Sequence, residues 1–269
     1  MNWNNKYISL HWVSLVLIYL VIVAGSVVRI TGSGMGCPDW PKCFGQWVPP
    51  TEASQLPDDA SEKFNEKRVA KAEKFAKYLE FFGLNQTAEN LRNDPFLEQD
   101  EQFNPRKTWT EYVNRLMGFL AGNAVLLLFI WTLLKYRKEK TVLWLSFINL
   151  ILMGFQGWFG SIVVASNLVP WTITVHLLLA LVILFIQIYL IKRVSKNQSK
   201  TLEIDKKMYW LVLISWFIVF GQMFLGTQVR EYIDALTRDG FGRDQWADQL
   251  GWIFFVHRSF SRRHLLYWQ

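Results

Sequence analysis

The chain has 269 residues, of which 51% are apolar and 19% charged, with a net charge of +7. A positive balance of that size raises nucleic acid as a partner, but the cations crowd into short loops between apolar runs, which excludes it. Runs of roughly 20 apolar residues, enough to cross a hydrocarbon core, lie at about 8–30, 112–134, 141–165, 171–191 and 208–228, and a sixth begins near 250. Runs this long satisfy their backbone in lipid only as helices, so the fold class is an all-α polytopic membrane protein.

The first run is too long for a signal-peptide core, and no small-residue cleavage site follows it. With no Arg- and Ser-rich transit peptide either, a bacterial inner membrane is expected. His11 falls at the start of this run, where interfacial solvation accounts for it. The run ends Gly25-Ser-Val-Val-Arg29. A long loop of about 31–108 follows. Within it, Phe64, Ala72, Phe75, Leu79 and Phe82 recur at helical spacing among Lys and Glu over roughly 61–92. That spacing predicts an amphipathic helix outside the membrane, packed on the loop or lying on the lipid surface.

Cys37 and Cys43 flank Pro38-Asp-Trp-Pro-Lys42 in the same loop. Two cysteines six positions apart on an oxidising side favour a disulfide, either a structural staple or a reducible pair. No His or further Cys lies near enough to make a metal site. The second run opens with Glu111, Asn114 and Arg115 on one helical face. Glu111 is either an anchor at a helix N-terminus or a carboxylate at the rim of a cavity, available for proton transfer.

Lys135, Arg137, Lys138 and Lys140 fill the next loop, and Lys192, Arg193, Lys196, Lys200, Lys206 and Lys207 the loop between runs four and five. Both are then cytoplasmic, as is the N-terminus, and the cysteine loop faces outward. His176 sits about six residues into the fourth run, roughly 8–9 Å deep at 1.5 Å per residue. His257 sits at similar depth in the sixth. Intramembrane ionisable groups are costly, which makes both functional candidates, the alternative being a histidine bonded to a neighbouring helix, and matched depth suits axial ligation of haem.

The chain also repeats itself. Gly25 to Arg29 parallels Gly226 to Arg230, Gln156-x3-Gly160 parallels Gln222-x3-Gly226, and Asn114-Arg115 parallels His257-Arg258. A four-helix unit, duplicated, predicts eight helices, as in many membrane folds built from repeats. The unit boundary falls near 200, with 1–200 a complete half and 201–269 an incomplete one. Phe254 stands where the first unit has Glu111. Arg262 and Arg263, costly inside a bilayer, point to a truncation or frame-shift tail after about Ser261, the alternative being a helix that dips and ends there, and His264 receives no role. Arg29 and Arg230 are candidates for haem propionates or snorkelling anchors.

The segment from Val27 through Arg29, Gly36, Cys37, Pro38, Asp39, Trp40 and Cys43 to Gly45 resembles the haem A synthase family. So do Glu111-Tyr-Val-Asn-Arg115, Thr174-Val-His176, Leu225-Gly-Thr-Gln-Val-Arg-Glu231 and Phe255-Val-His-Arg258. The resemblance implies eight helices in two halves and oxidation of the C8 methyl of haem O to a formyl group, for cytochrome oxidase assembly. It implies haem b as electron-accepting cofactor in the C-terminal half and the substrate haem in the N-terminal half. Glu111 becomes the catalytic carboxylate, His176 a ligand of the substrate haem iron beside Asn114 and Arg115, His257 a ligand of haem b iron, and Cys37–Cys43 the loop disulfide. Besides membrane lipid, a haem O synthase and an electron acceptor are the partners it brings into view. Asn114 stands where many members have histidine, so His176 is expected to be the strong protein ligand on its side. The second haem b ligand is expected on an eighth helix. A b-type cytochrome that only carries electrons accounts for the same histidines, but it requires no acid in one half alone.

Overall fold

The computed structural model describes residues 3–39, 41–57, 60–93, 103–166, 170–195, 205–238, 240–242 and 245–266. These residues form α1 (Asn5–Thr31), α2 (Ala60–Phe81), α3 (Asn85–Arg92), α4 (Pro105–Lys135), α5 (Lys140–Ala165), α6 (Pro170–Val194), α7 (Lys206–Arg238), α8 (Trp246–Gln249) and α9 (Trp252–Leu266). Helices α1, α4, α5, α6 and α7 are long and apolar enough to cross a membrane, and the protein is a multi-pass membrane protein. The sixth apolar run forms α9, whose backbone stays helical past Ser261 to Leu266. The side chains of Arg262, Arg263 and His264 lie outside the described residues, as do Lys196 and Lys200.

The chain divides into two compact units, Met1–Ser199 and Lys200–Gln269. In unit 1, α1 packs on α4 and α6, α4 on α5, and α5 on α6, closing a four-helix ring. Short connections make neighbours antiparallel, so α4 and α6 both start at the end that carries the disulfide loop. The bundle middle is held by Ile18, Ala121, Val125 and Ile183. The opposite end is closed by Tyr7, Leu128, Tyr136, Val142, Leu190 and Val194. There the Tyr7 hydroxyl lies 2.6 Å from Thr132 Oγ1, and the Tyr136 hydroxyl accepts from Asn4 N at 3.0 Å. In unit 2, α7 and α9 pack as a hairpin.

Helix ends depart from the hydropathy expectation in two places that matter for the site. Helix α4 starts at Pro105, with Asn104 capping it by accepting from Arg106 N and Lys107 N at 3.1 and 3.2 Å. An Asn cap with proline in the first turn is a favourable start. Its first two turns are polar, so a hydropathy window misses them. Glu111 is therefore the seventh residue of α4 and not its opening. Helix-dipole stabilisation fades within the first turn, which removes the terminal-anchor reading. Helix α7 runs to Arg238, so Arg230 is interior to it and holds Asp234 at 3.1 Å.

The predicted amphipathic helix is α2, and its apolar face is covered by protein. Ala72, Phe75, Ala76 and Leu79 pack with Ala88 and Leu91 of α3 and with Ile162 of α5. Phe82 is not part of that face: Gly83, at φ 79°, turns the chain into α3 and leaves Phe82 74% exposed.

Candidate functional site

The loop after α1 is docked onto α4 through Glu111 and Arg115. Glu111, 3% exposed, accepts from Cys37 N at 2.9 Å through Oε2. Its Oε1 is paired with Arg115, one helical turn on. The same guanidinium donates to Asp39 O at 2.5 Å and Cys37 O at 3.0 Å. Thr108 Oγ1 donates to Gly36 O at 2.9 Å. A side chain at Gly36 would meet the carbonyl carbon and oxygen of Lys107 and the nitrogen of Thr108 at 2.8 Å, so this approach requires glycine.

The loop itself is closed by the Cys37–Cys43 disulfide, whose Cα atoms are 5.1 Å apart. The Asp39 carboxylate accepts from Phe44 N and Gly45 N, both at 2.8 Å. These bonds hold Phe44 at φ 54°, a conformation that costs a non-glycine residue about 1–3 kcal/mol. The Phe44 ring stacks on Phe64 at 5.7 Å and meets Phe103 edge-on at 5.4 Å. Lys71 of α2 donates to Pro38 O at 2.7 Å. Burial, aided by the nearby Arg115 charge, pushes the Lys71 ammonium down from the ordinary lysine range.

The histidines sit in a second construction that occurs once in each unit. His176 is the seventh residue of α6, and Gln156 of α5 donates its Nε2 to His176 O at 2.8 Å. One turn along α5, a side chain at Gly160 would lie 3.4 Å from His176 Cε1. In unit 2, Gln222 of α7 donates its Nε2 to His257 O at 2.7 Å, and a side chain at Gly226 would lie 3.0 Å from His257 Cε1. A glutamine thus holds the histidine's own carbonyl, and the glycine four residues later leaves room for its ring. His176 is further stacked by Phe159 at 6.0 Å. Its Nδ1 is buried with no hydrogen-bond partner among the described residues.

A family model described as COX15-CtaA, cytochrome oxidase assembly protein, matches residues 9–83 and 84–267. This chain belongs to the COX15-CtaA family.

Curated relatives of this COX15-CtaA chain include the haem A synthase of Shewanella oneidensis, 29% identical over 88% of this chain and 62% of that protein. The haem A synthase of Bartonella quintana is 30% identical over 83% of this chain and 59% of that protein. That of Flavobacterium psychrophilum is 27% identical over 68% and 48%. The chain spans about three fifths of the length of the first two. No solved structure matches it.

The first hairpin of the COX15-CtaA chain carries the same glycine but neither the histidine nor the glutamine. A side chain at Gly25 would lie 3.9 Å from Asn114 Oδ1, which is buried and unpartnered among the described residues. Val21 stands one turn before Gly25, where α5 and α7 have glutamine. In unit 2, Arg258 lies over the Phe254 ring at 5.8 Å, the same spacing that pairs Arg115 with Glu111 in unit 1. Arg29 is in the last turn of α1.

His11 departs from its expected place. It is fully buried in unit 1, edge-on to Tyr7 at 4.7 Å. Gln187 of α6 donates to His11 O at 2.9 Å and lies 3.2 Å from its Nδ1. Asn149 of α5 donates to Gln187 Oε1 at 3.2 Å. Neighbouring helices, not water, surround this imidazole.

Proposed function

We propose that this protein acts as a haem A synthase, oxidising the C8 methyl of haem O to a formyl group for cytochrome oxidase assembly. The observation that carries the reading is the combination, in unit 1, of an imidazole laid against a bare glycine and a buried carboxylate clamped by Arg115 and Cys37 N. His176 and Glu111 are each the seventh residue of helices that start at the same end of the bundle. At 1.5 Å per residue both lie roughly 9–10 Å from that end. The donors fit haem: histidine is its commonest protein ligand, and His176 keeps a ring nitrogen unclaimed.

Haem O is the substrate of unit 1, with His176 as its iron ligand, and haem b is the cofactor of unit 2, with His257 as one ligand. When bound, haem b supplies one-electron acceptance that no side chain of this chain offers. Oxidising a methyl group releases protons. Glu111 takes a proton at a carboxylate oxygen. Arg115 and Cys37 N–H fix the direction of that carboxylate and stabilise its charged form. The docked disulfide loop covers the carboxylate and limits water.

Arg29 and Arg230 are the cationic candidates for propionates, Arg230 through guanidinium donors beyond the one near Asp234. The disulfide loop faces the outer side of a bacterial plasma membrane, with the Lys135–Lys140 turn in the cytoplasm. Acid–base chemistry belongs to unit 1 alone, because Phe254 takes the place of Glu111 in unit 2. A haem O synthase and a separate electron acceptor complete the pathway as partners.

The test is pigment extraction from membranes carrying Glu111→Gln. Haem O or its hydroxymethyl form should accumulate, with haem A down about 10²–10⁴-fold. Normal haem A output would remove Glu111 from the mechanism, and haem b alone with haem O untouched in the unaltered protein would make it an electron carrier.

A further inference from the structure

We infer that Gln156 and Gln222 are positioning residues, each fixing the haem-ligating histidine of its own unit by holding that histidine's backbone carbonyl. The inference rests on the haem-binding reading above and adds residues that the ligand set does not contain.

A helical carbonyl already accepts from the N–H four residues on, and its second lone pair is normally left to water or lipid. Here that lone pair takes a glutamine N–H from the preceding helix at 2.8 Å in unit 1 and 2.7 Å in unit 2. A part-buried amide that loses its acceptor is left costly and unpaired, so the bond pins the two helices together at the residue bearing the imidazole. Glycine four residues later then decides where the ring goes. At Gly226 a β-carbon would stand 3.0 Å from His257 Cε1 and 3.5 Å from its Nε2. At Gly160 the corresponding distances are 3.4 and 3.8 Å. Carbonyl and ring are each located by a separate residue of the facing helix, one turn apart.

Gln187 makes a comparable bond to His11 O, but Ile191 and not glycine stands four residues after it; two features set the Gln156 and Gln222 bonds apart. The arrangement occurs independently in both units, at the same Gln-x3-Gly spacing, and on the carbonyl of a histidine each time. The first hairpin supplies the contrast: it keeps Gly25, yet where the histidine gives way to Asn114 the glutamine gives way to Val21. Holder and held residue are present together or absent together.

The experiment loads the purified full chain with haem b and compares it with Gln156→Leu, Gln222→Leu and the near-isosteric Gln156→Met and Gln222→Met, each checked for monodispersity in detergent. Loss of an outer-shell partner of a metal-ligating histidine typically lowers metal affinity 10–100-fold. Each variant should therefore bind haem about 10-fold more weakly and shift the ferric spin-resonance signal of one haem population while sparing the other. Lower thermal stability with affinity and spin-resonance signals unchanged, in the Leu and Met variants alike, would make the glutamines structural and overturn the inference. Failure of the unaltered protein to take up haem would instead overturn the haem-binding reading itself.

Discussion

Glu111 owes its environment to residues distant in sequence: Cys37, whose N–H donates to the carboxylate, is 74 positions away. The pair with Arg115 was readable from i,i+4 spacing, but the burial was not, because a hydropathy window gives no account of a loop folding over a helix. Removing the cation leaves a buried carboxylate without its partner, which costs about 3–5 kcal/mol. Arg115→Leu should lower unfolding stability in detergent by that order and abolish haem A output. An unchanged melting temperature would show that the guanidinium is dispensable. His11 gives the opposite lesson. Its position near a helix start reads as solvated, yet Gln187, 176 positions later, meets it inside the bundle. Gln187→Leu leaves His11 O and the Asn149 amide without that partner, and should cost about 1–3 kcal/mol, measured by denaturation of the protein in micelles. No loss of stability would mean that the buried polar layer contributes nothing.

At the level of elements, five spans were legible because a long apolar run admits only one structure in lipid. The start of α4 was not, since Arg106, Lys107 and Glu111 hide two helical turns from a hydropathy window, although Asn104-Pro105 is itself a cap signature. The contact that seats the disulfide loop on those turns is at Gly36. Gly36→Ala forces a β-carbon to 2.8 Å from α4 backbone, so the loop or the helix has to shift. Overpacking of this kind typically costs about 1–3 kcal/mol. The variant should show a lower melting point and faster reduction of Cys37–Cys43 by dithiothreitol, and unaltered reduction kinetics would refute the docking.

The α2–α3 hairpin has its own pH dependence. Arg92 donates to Glu73 at 2.8 and 3.1 Å and is paired with Glu80. Its hydrogen bonds hold both carboxyls below the usual glutamate range, and theirs raise Arg92. A depressed carboxylate stabilises the fold above its unfolded value, and the contribution disappears as pH falls through the folded one. Hydrogen exchange in α2–α3 should therefore speed up as pH drops below about 4.5, after correction for intrinsic rates. Arg92→Gln should flatten that dependence, and an unchanged profile would exclude these pairs as its source.

For the whole molecule, the repeat could be read directly, since Gln156-x3-Gly160 and Gln222-x3-Gly226 have the same spacing. What spacing could not disclose was its purpose, because nothing in a linear pattern says that a glutamine reaches across to the next helix at the level of a histidine. The two halves share that construction and differ around it. Glu111 with Arg115 in unit 1 becomes Phe254 under Arg258 in unit 2, and Phe159 beside His176 becomes Leu225 beside Gly226. In the proposed function the oxidised substrate belongs to the half that carries Glu111 and the electron-accepting cofactor to the other. The most direct check is a haem titration of the purified protein followed by its Soret absorption, alongside His176→Ala, His257→Ala and the double variant. Each single variant should lose one bound haem population and the double variant both. Full haem absorption retained without either imidazole would contradict the account.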